Sequence, residues 1–408
     1  MRIACLGIKG LPSRGGAERV AEAIASRLAA RHELTVYCDR RYTPAGVEVP
    51  GLRLVRIPSL PGKHLRPLSY HLLCALHALL WGNYDLVHVH NVEPCFALPL
   101  LRLRFPVVAT AHGSPVRAAR SKWGHLAHAL MGLSECAFLW LSDRATSVSR
   151  ADVEYYARRF RRQVLYLPNG VEEPAARSGA GRAALRELGL RPGRYLLFAA
   201  GRIEPTKGCH LVLEACRRAD LRLPLVVVGD LEQVPEYGRE LRRMAGERVR
   251  FVPFVGDKER LFAIVRGCRL FVLPSLVEGM SMMLLEVASL GVPLVCSDIP
   301  ENVEVVGRDA LYFRSGDAWH LARRLTWALG HPERMAALAA RARARVRRRF
   351  AWEGIVPRYE LLYQECQRSA RAQEPAPGHP AEGCGILSCT RISAQGRMGQ
   401  AQPPAPRR

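Results

Sequence analysis

Short apolar runs alternate with longer stretches of helical spacing along most of this chain. That alternation predicts parallel strands joined by crossover helices. Residues 3–7 read as a first strand and 34–38 as a second. Between them, 17–30 read as a helix with Val20, Ile24 and Leu28 on one face. Further strands are expected at 52–57, 85–90, 107–110, 145–148 and 164–167, with a helix beginning at Arg150. Residues 67–81 are apolar, with His71 and His77 interspersed. They are too few to span a bilayer, which needs about 20 residues. An interfacial helix is one reading of them, and a buried core helix is the expected one. After 172–181, rich in Ala, Gly, Pro and charge, the alternation restarts. Strands are expected at 195–200, 225–228, 249–251, 270–273, 293–296 and 311–313, and helices at 209–219, 258–265 and 281–290. Residues 319–350 read as one Arg-rich helical stretch. The whole predicts an α/β protein of two Rossmann-like, doubly wound domains facing each other, at 1–171 and 172–350. From 370 to 408 the chain holds Pro, Gly, Gln and Arg without periodicity, and a disordered tail is expected.

The stretch 274–295 carries the most chemistry. Glu278 follows a predicted strand, and Glu286 lies about two helical turns on, roughly 12 Å of rise. Gly291 is placed to end the helix, and Pro293 forbids its continuation. In open α/β sheets, ligands bind beyond the carboxyl ends of the strands. A helix start there offers free N–H groups to an anion. A carboxylate accepts two sugar hydroxyls, and a diphosphate suits the amides, so a nucleotide-sugar fits this turn. Taken alone, the same two carboxylates are also compatible with a solvated loop and an outer helix face. Arg202 and Lys207 follow the first strand of the second half, and in a parallel sheet their loop shares an edge with Glu278 and Glu286. An Arg fork and a Lys point charge suit phosphate oxygens. In the first half, the loop from Ile8 carries Gly10, Pro12, Gly15 and Gly16 without the Gly-x-Gly-x-x-Gly pattern. Its glycines permit close approach of backbone to a ligand, or simply a strand–helix turn. His112 stands at a strand's carboxyl end, where it serves a substrate hydroxyl or phosphate, or the structure alone. Arg117, Arg120, Lys122 and His125 form a basic segment beyond it. The mixture of Tyr155, Tyr156, Arg158, Arg159, Arg161 and Arg162 is expected to be a solvated helix face.

The 408 residues carry a formal charge of +23, almost all of it from Arg. Such a charge favours anionic surfaces, nucleic acid or the anionic leaflet of a membrane among them, although an Arg bias also reflects genome composition. No apolar run is long enough for a spanning helix, and the apolar part of the N-terminus is too short for a signal peptide. The twelve cysteines contain no Cys-x2-Cys pair, and Cys384 and Cys389 lie in the polar tail. Reduced thiols in a cytosol and no zinc site are expected.

Several segments in order resemble one family. They are Gly15-Gly16-Ala-Glu18, Asp85-Leu-Val-His88-Val-His90, Thr110-Ala-His112-Gly113 and Leu167-Pro-Asn169-Gly170-Val171. In the second half they are Gly201-Arg202-Ile-Glu-Pro-Thr-Lys207-Gly208, Glu278-Gly-Met-Ser-Met-Met-Leu-Leu-Glu286 and Ser297-Asp-Ile-Pro-Glu301-Asn302. Over residues 1–368 the chain resembles the retaining GT-B glycosyltransferases of family 4, common in bacterial surface-polysaccharide synthesis. Phe350-Ala-Trp352 is similar to the start of that family's last helix, here 351–368, which returns to the first domain.

The resemblance implies a retaining hexosyl transfer from a nucleoside-diphosphate-sugar to a glycan or lipid-linked acceptor, with the first domain on the acceptor side. It implies no cofactor and no bound metal. Arg202 and Lys207 would clamp the diphosphate and Glu286 would accept the ribose hydroxyls. Glu278 would sit at the donor sugar, with Gly279, Met280 and Ser281 near sugar and phosphate. Gly16 would admit the β-phosphate, His112 would contact the sugar and, with Glu278, act as a catalytic residue, and the base would lie near Phe254 and Val255. A cytoplasmic protein, peripheral on an anionic inner membrane surface, follows from this together with the charge. The competing expectations are a basic nucleic-acid-binding α/β protein and a GT-B nucleotide-sugar epimerase.

Overall fold

The computed structural model describes residues 1–13, 15–62, 65–113, 125–172 and 179–372. The expectations for Arg117, Arg120 and Lys122, for the His125 side chain and for the tail from 373 lie outside the described residues.

Two parallel sheets organise the chain. The first runs in the order β3-β2-β1-β4-β5-β6-β7. Its strands are β1 (Arg2–Leu6), β2 (Glu33–Asp39), β3 (Leu52–Ile57), β4 (Leu86–His90), β5 (Val107–Ala111), β6 (Arg144–Ser147) and β7 (Leu165–Tyr166). Its helices are α1 (Gly16–Leu28), α2 (Leu65–Trp81), the short α3 (Leu98–Leu101), α4 (His125–Leu141) and α5 (Arg150–Phe160). After α6 (Gly179–Glu187), the second sheet runs β10-β9-β8-β11-β12-β13. Its strands are β8 (Leu196–Arg202), β9 (Leu225–Asp230), β10 (Val249–Val252), β11 (Leu270–Leu273), β12 (Leu294–Ser297) and β13 (Leu311–Phe313). Its helices are α7 (Cys209–Arg218), α8 (Pro235–Met244), α9 (Lys258–Gly267), α10 (Met282–Ser289), α11 (Pro300–Val306), α12 (Ala318–Gly330) and α13 (Pro332–Arg349). The chain then ends its described part in α14 (Trp352–Arg371).

Strands covered on both faces read as continuous apolar runs, which is why they were legible. Alternate residues feed opposite layers. Ile3 and Cys5 join Val20, Ile24 and Leu28 of α1 in one core, while Ala4 and Leu6 join Tyr70, Cys74 and Phe138 in the other. In β11, Phe271 and Leu273 face one layer and Leu270 and Val272 the other.

The returning helix α14 shares the first of these cores. Trp352, Ile355, Val356, Tyr359, Leu362, Tyr363 and Cys366 form one helical stripe packed with α1 and β1. Trp352 lies so close to Gly170 that a Cβ there would stand 2.3 Å from the indole. The Val171 amide donates to the Phe350 carbonyl at 2.7 Å, which fixes the crossing.

Several expectations change. The α2 helix is not a core helix. It buries Tyr70, Cys74, Ala75 and Ala78, but leaves Leu65, Leu68, Leu72, Leu73, Leu80 and Trp81 exposed, Trp81 by 71%. The stretch 319–350 is two helices, because Pro332 starts a new one after His331. Strand β8 runs through Arg202, which therefore stands at a strand end rather than in the loop. Helices α3, α4, α6, α8 and α11 were not anticipated.

Replacing Trp352 by Ala is expected to cost about 3–5 kcal/mol of stability. The denaturant midpoint of unfolding measures it, and an unchanged midpoint would mean that α14 is not held by this contact.

Candidate active site

The strand order reverses between β1 and β4 in the first sheet and between β8 and β11 in the second. Loops leaving such a pair diverge and open a crevice beyond the carboxyl ends. The crevices of the two domains face each other across a cleft of about 1530 Å³. The first domain lines it with Gly16, Arg19, Glu93 and His112, among others. The second contributes Arg202, Lys207, Phe254, Val255, Glu278, Gly279, Met280 and Ser281. Of the residues predicted for the site, only Glu286 is missing from this lining.

On the second-domain wall the charges are already paired. Lys207 Nζ donates to Glu278 Oε2 at 2.7 Å, and Ser275 Oγ donates to Glu278 Oε1 at 2.8 Å. Glu278 is thus a held carboxylate, aimed by two donors. Arg202 stands half-exposed, with Nε 3.4 Å from Glu204 Oε2. Gly208 starts α7 at φ +69, where a Cβ would meet the Pro274 carbonyl at 2.2 Å. This contact brings the β8 and β11 loops together and sets Lys207 beside Glu278. Ser281 caps α10, accepting from the Leu284 amide at 3.3 Å. The amides of Met282 and Met283 have no intrahelical acceptor, and both residues line the cleft.

The domains touch at Gly279. A Cβ there would lie 2.1 Å from the His112 carbonyl oxygen, so only glycine permits this approach. Asn169 adds an interdomain bond, its Nδ2 donating to the Met280 carbonyl at 3.0 Å. Gly16 is different. It opens α1 at the cleft, and nothing lies within 4 Å of an added Cβ.

Glu286 is only 3% exposed and sits in a small recess beside the cleft. Arg19 of α1 reaches across the interface and donates both guanidinium NH2 groups to its carboxylate, Nη1 at 3.3 Å from Oε2. Burial raises the Glu286 pKa, and the Arg19 charge opposes that rise. Sequence reasoning missed Arg19. It stands one residue after the Gly15-Gly16-Ala-Glu18 segment, and its partner is far away in the chain.

His112, half-buried at the cleft, ends a series whose other two imidazoles, His88 and His90, are buried. His90 Nδ1 and His112 Nε2 are hydrogen-bonded at 3.1 Å, with the rings stacked. His88 lies tilted against His90, with ring centroids 3.9 Å apart. His88 is also bonded to the Tyr363 hydroxyl of α14 and to Thr110 Oγ1, both at 2.7 Å. Burial lowers the pKa of His88 to about 3 and that of His112 to about 4, and holds His90 well below the ordinary value. The series is therefore neutral at neutral pH. Among the described residues, no group of three His, Cys, Asp or Glu side chains is arranged to hold a metal ion, and no helix is long and apolar enough to cross a membrane.

Comparison with known proteins agrees with this geometry. Residues 182–345 match the family model for glycosyl transferases group 1, and residues 14–173 match that for glycosyltransferase family 4. The chain is 29% identical over 374 residues to a D-inositol 3-phosphate glycosyltransferase of Xylanimonas cellulosilytica, covering 80% of this chain and 86% of that one. It is 26% identical over 306 residues to a phosphatidyl-myo-inositol mannosyltransferase of Mycobacterium leprae, covering 70% and 75%. Among solved structures, a sucrose-phosphate synthase from Thermosynechococcus elongatus superposes with a TM-score of 0.74 at 21% identity, covering 90% of this chain and all of that one. Anabaena HepE in complex with UDP and glucose gives 0.73 at 19%, covering 90% and 100%. These structures speak to the fold alone, which is GT-B. Neither the nucleic-acid-binding nor the epimerase expectation is favoured by these matches.

The unfolded chain takes up protons near the ordinary imidazole value of 6.5, where the folded His88 and His112 do not. Their contribution to stability is therefore full above that pH and is lost as the pH falls toward about 4. The imidazole C–H resonances of both should stay at their neutral positions between about pH 7 and 5 while the melting temperature drops. A His112 titration centred near 6.5 would contradict the buried pair.

Proposed function

We propose that this chain, which belongs to the GT-B glycosyltransferases of the family 4 type, moves a hexose from a nucleoside-diphosphate-sugar to a glycan or lipid-linked acceptor with retention at the anomeric carbon. One observation carries the reading. Two cations, a clamped carboxylate and the amides of a helix start converge on one wall of a cleft between two facing sheets.

In this reading the diphosphate takes Lys207 away from Glu278 and draws in the fork of Arg202. The α10 amides and the open side of Gly16 receive the remaining phosphate oxygens. Glu286 exchanges Arg19 for the two ribose hydroxyls. Phe254 and Val255 flank the base. Glu278, with the backbone of Gly279, Met280 and Ser281, orients the donor sugar, and His112 contacts it from the first domain. His90 positions His112 by fixing which ring nitrogen carries the proton. In the transfer, the acceptor oxygen bonds to the anomeric carbon on the face that the phosphate leaves. The carbon–phosphate-oxygen bond breaks, and the acceptor proton passes to the departing phosphate. The charge that develops on that phosphate is met by Arg202, Lys207 and the helix dipole, without a metal or other cofactor. The net charge of +23 suits a cytoplasmic protein resting on the anionic inner face of a membrane, and its setting is surface-polysaccharide synthesis.

Lys207→Ala should weaken donor binding roughly 10- to 150-fold, the range for a charge-assisted contact. Proton NMR of the first-formed product should show the donor's anomeric configuration, and the inverted anomer would overturn the retaining mechanism. Gly16→Ala should keep or raise the melting temperature yet lower donor affinity, because the methyl meets only ligand. Since burial raises the Glu286 pKa and its ionised form binds ribose, donor affinity should fall on acidification, at a higher pH than an ordinary carboxylate would give. Glu286→Gln should flatten that dependence, and an equally steep one would remove Glu286 from the ribose site.

A further inference from the structure

The first-domain wall of the cleft differs from the second in chemistry. It includes the apolar side chains Leu65, Leu68, Phe96, Leu130 and Met131 in the lining. Leu65 and Leu68 do not end at the cleft. They begin a stripe along α2 that continues through Leu72, Leu76 and Leu80, at helical spacing. Leu65 is 57% exposed and Leu80 60%, so both ends of this face are left open by the described residues. From Pro67 to Trp81 the helix has no Asp, Glu, Lys or Arg. The stripe is about 22 Å long. An exposed apolar track of this kind, continuous with a substrate cleft, marks a binding surface.

At the inner end of the same wall stands Glu93, which opens the turn after β4. It makes no ion pair with a described residue, in contrast to Glu278 and Glu286. Its backbone carbonyl accepts from Ser134 Oγ at 3.1 Å, which anchors the turn on α4. The half-buried carboxyl is raised above its ordinary pKa by desolvation, opposed by the backbone amides of Glu93 and Val92 and by the charge of Lys9. A carboxylate in this position has hydroxyls as its natural partners.

We propose that this wall is the acceptor subsite and that the acceptor carries a lipid chain. Glu93 receives a hydroxyl of the head group, and the chain leaves the cleft over Leu65 and Leu68 to lie along the leucine stripe of α2. The inference rests on the transferase reading and names its acceptor class. The observation that selects a lipid over a plain glycan is the continuity of the exposed leucines with the cleft wall, since a glycan chain would be served by polar side chains there.

The test uses the full chain and a homologous series of probes: methyl, hexyl, octyl and decyl β-D-glucoside, each below its micelle concentration, titrated by calorimetry. Affinity should rise about two- to fourfold per added methylene. Leu72→Glu, on the exposed face, should flatten that rise, with thermal unfolding confirming that the variant is folded. Glu93→Gln should weaken all chain lengths by one common factor and leave the rise intact. A flat series in the unaltered protein, or the same slope in Leu72→Glu, overturns the proposal. So does a flat series combined with capture by neutral phosphatidylcholine vesicles that Leu72→Glu abolishes, which would seat the stripe on a membrane surface instead. Titration of the same protein with UDP, GDP, TDP and ADP separates the two readings. Failure of all four counts against the donor site, whereas the alkyl series judges the acceptor wall alone.

Discussion

A carboxylate as buried as Glu286 is stable in its ionised form only with a cation beside it, and the cation here comes from the other domain. Arg19 reaches it from α1, while Glu286 rides on α10. The contact therefore joins the glycine-rich turn of the first domain to the helix whose N-terminus faces the cleft. The Lys207–Glu278 pair repeats the arrangement within the second domain. In the proposed reading a nucleotide-sugar would supply both replacements at once, a diphosphate for Lys207 and ribose hydroxyls for Glu286. Its binding would then be an exchange of partners. The net gain is set by how much better the ligand satisfies each group than its present neighbour does.

The domains are held in register by close contacts at their interface. Gly279 lies against the His112 carbonyl, and Asn169 is bonded to Met280. Behind His112, the imidazole series runs through His90 and His88 to Tyr363 on the returning helix. The last helix thus touches the site through side chains as well as through the core it shares with α1. Of the residues on that helix, Tyr363 is the one hydrogen-bonded to this series.

The parallel sheets were legible because a strand buried on both faces is apolar at every position. The stretch around β11, α10 and β12 was the most legible part, since Ser281, Gly291 and Pro293 punctuate it. What was not legible depended on partners. The α2 sequence is apolar nearly all round, which reads as core, yet nothing in it shows that the described residues leave one face open. The break before α13 was visible in Pro332 but was overridden by the continuous Arg-rich helical pattern around it. Arg19 could not be found by pattern, because an ion pair between residues 19 and 286 leaves no local signature. Arg202, Lys207 and Glu278 were brought together because loops on one edge of a parallel sheet must meet. The same rule does not reach across the cleft, and so Glu93, on the opposite wall, was not singled out.

The central claim is that this cleft holds a nucleoside-diphosphate-sugar. Calorimetric titration of the purified protein with uridine, guanosine, thymidine and adenosine diphosphate-sugars tests it most directly. The account predicts that one of these donors binds with a one-to-one stoichiometry and that its nucleoside diphosphate competes for the same site. No heat with any donor, under conditions where the protein is folded by thermal unfolding, would contradict it.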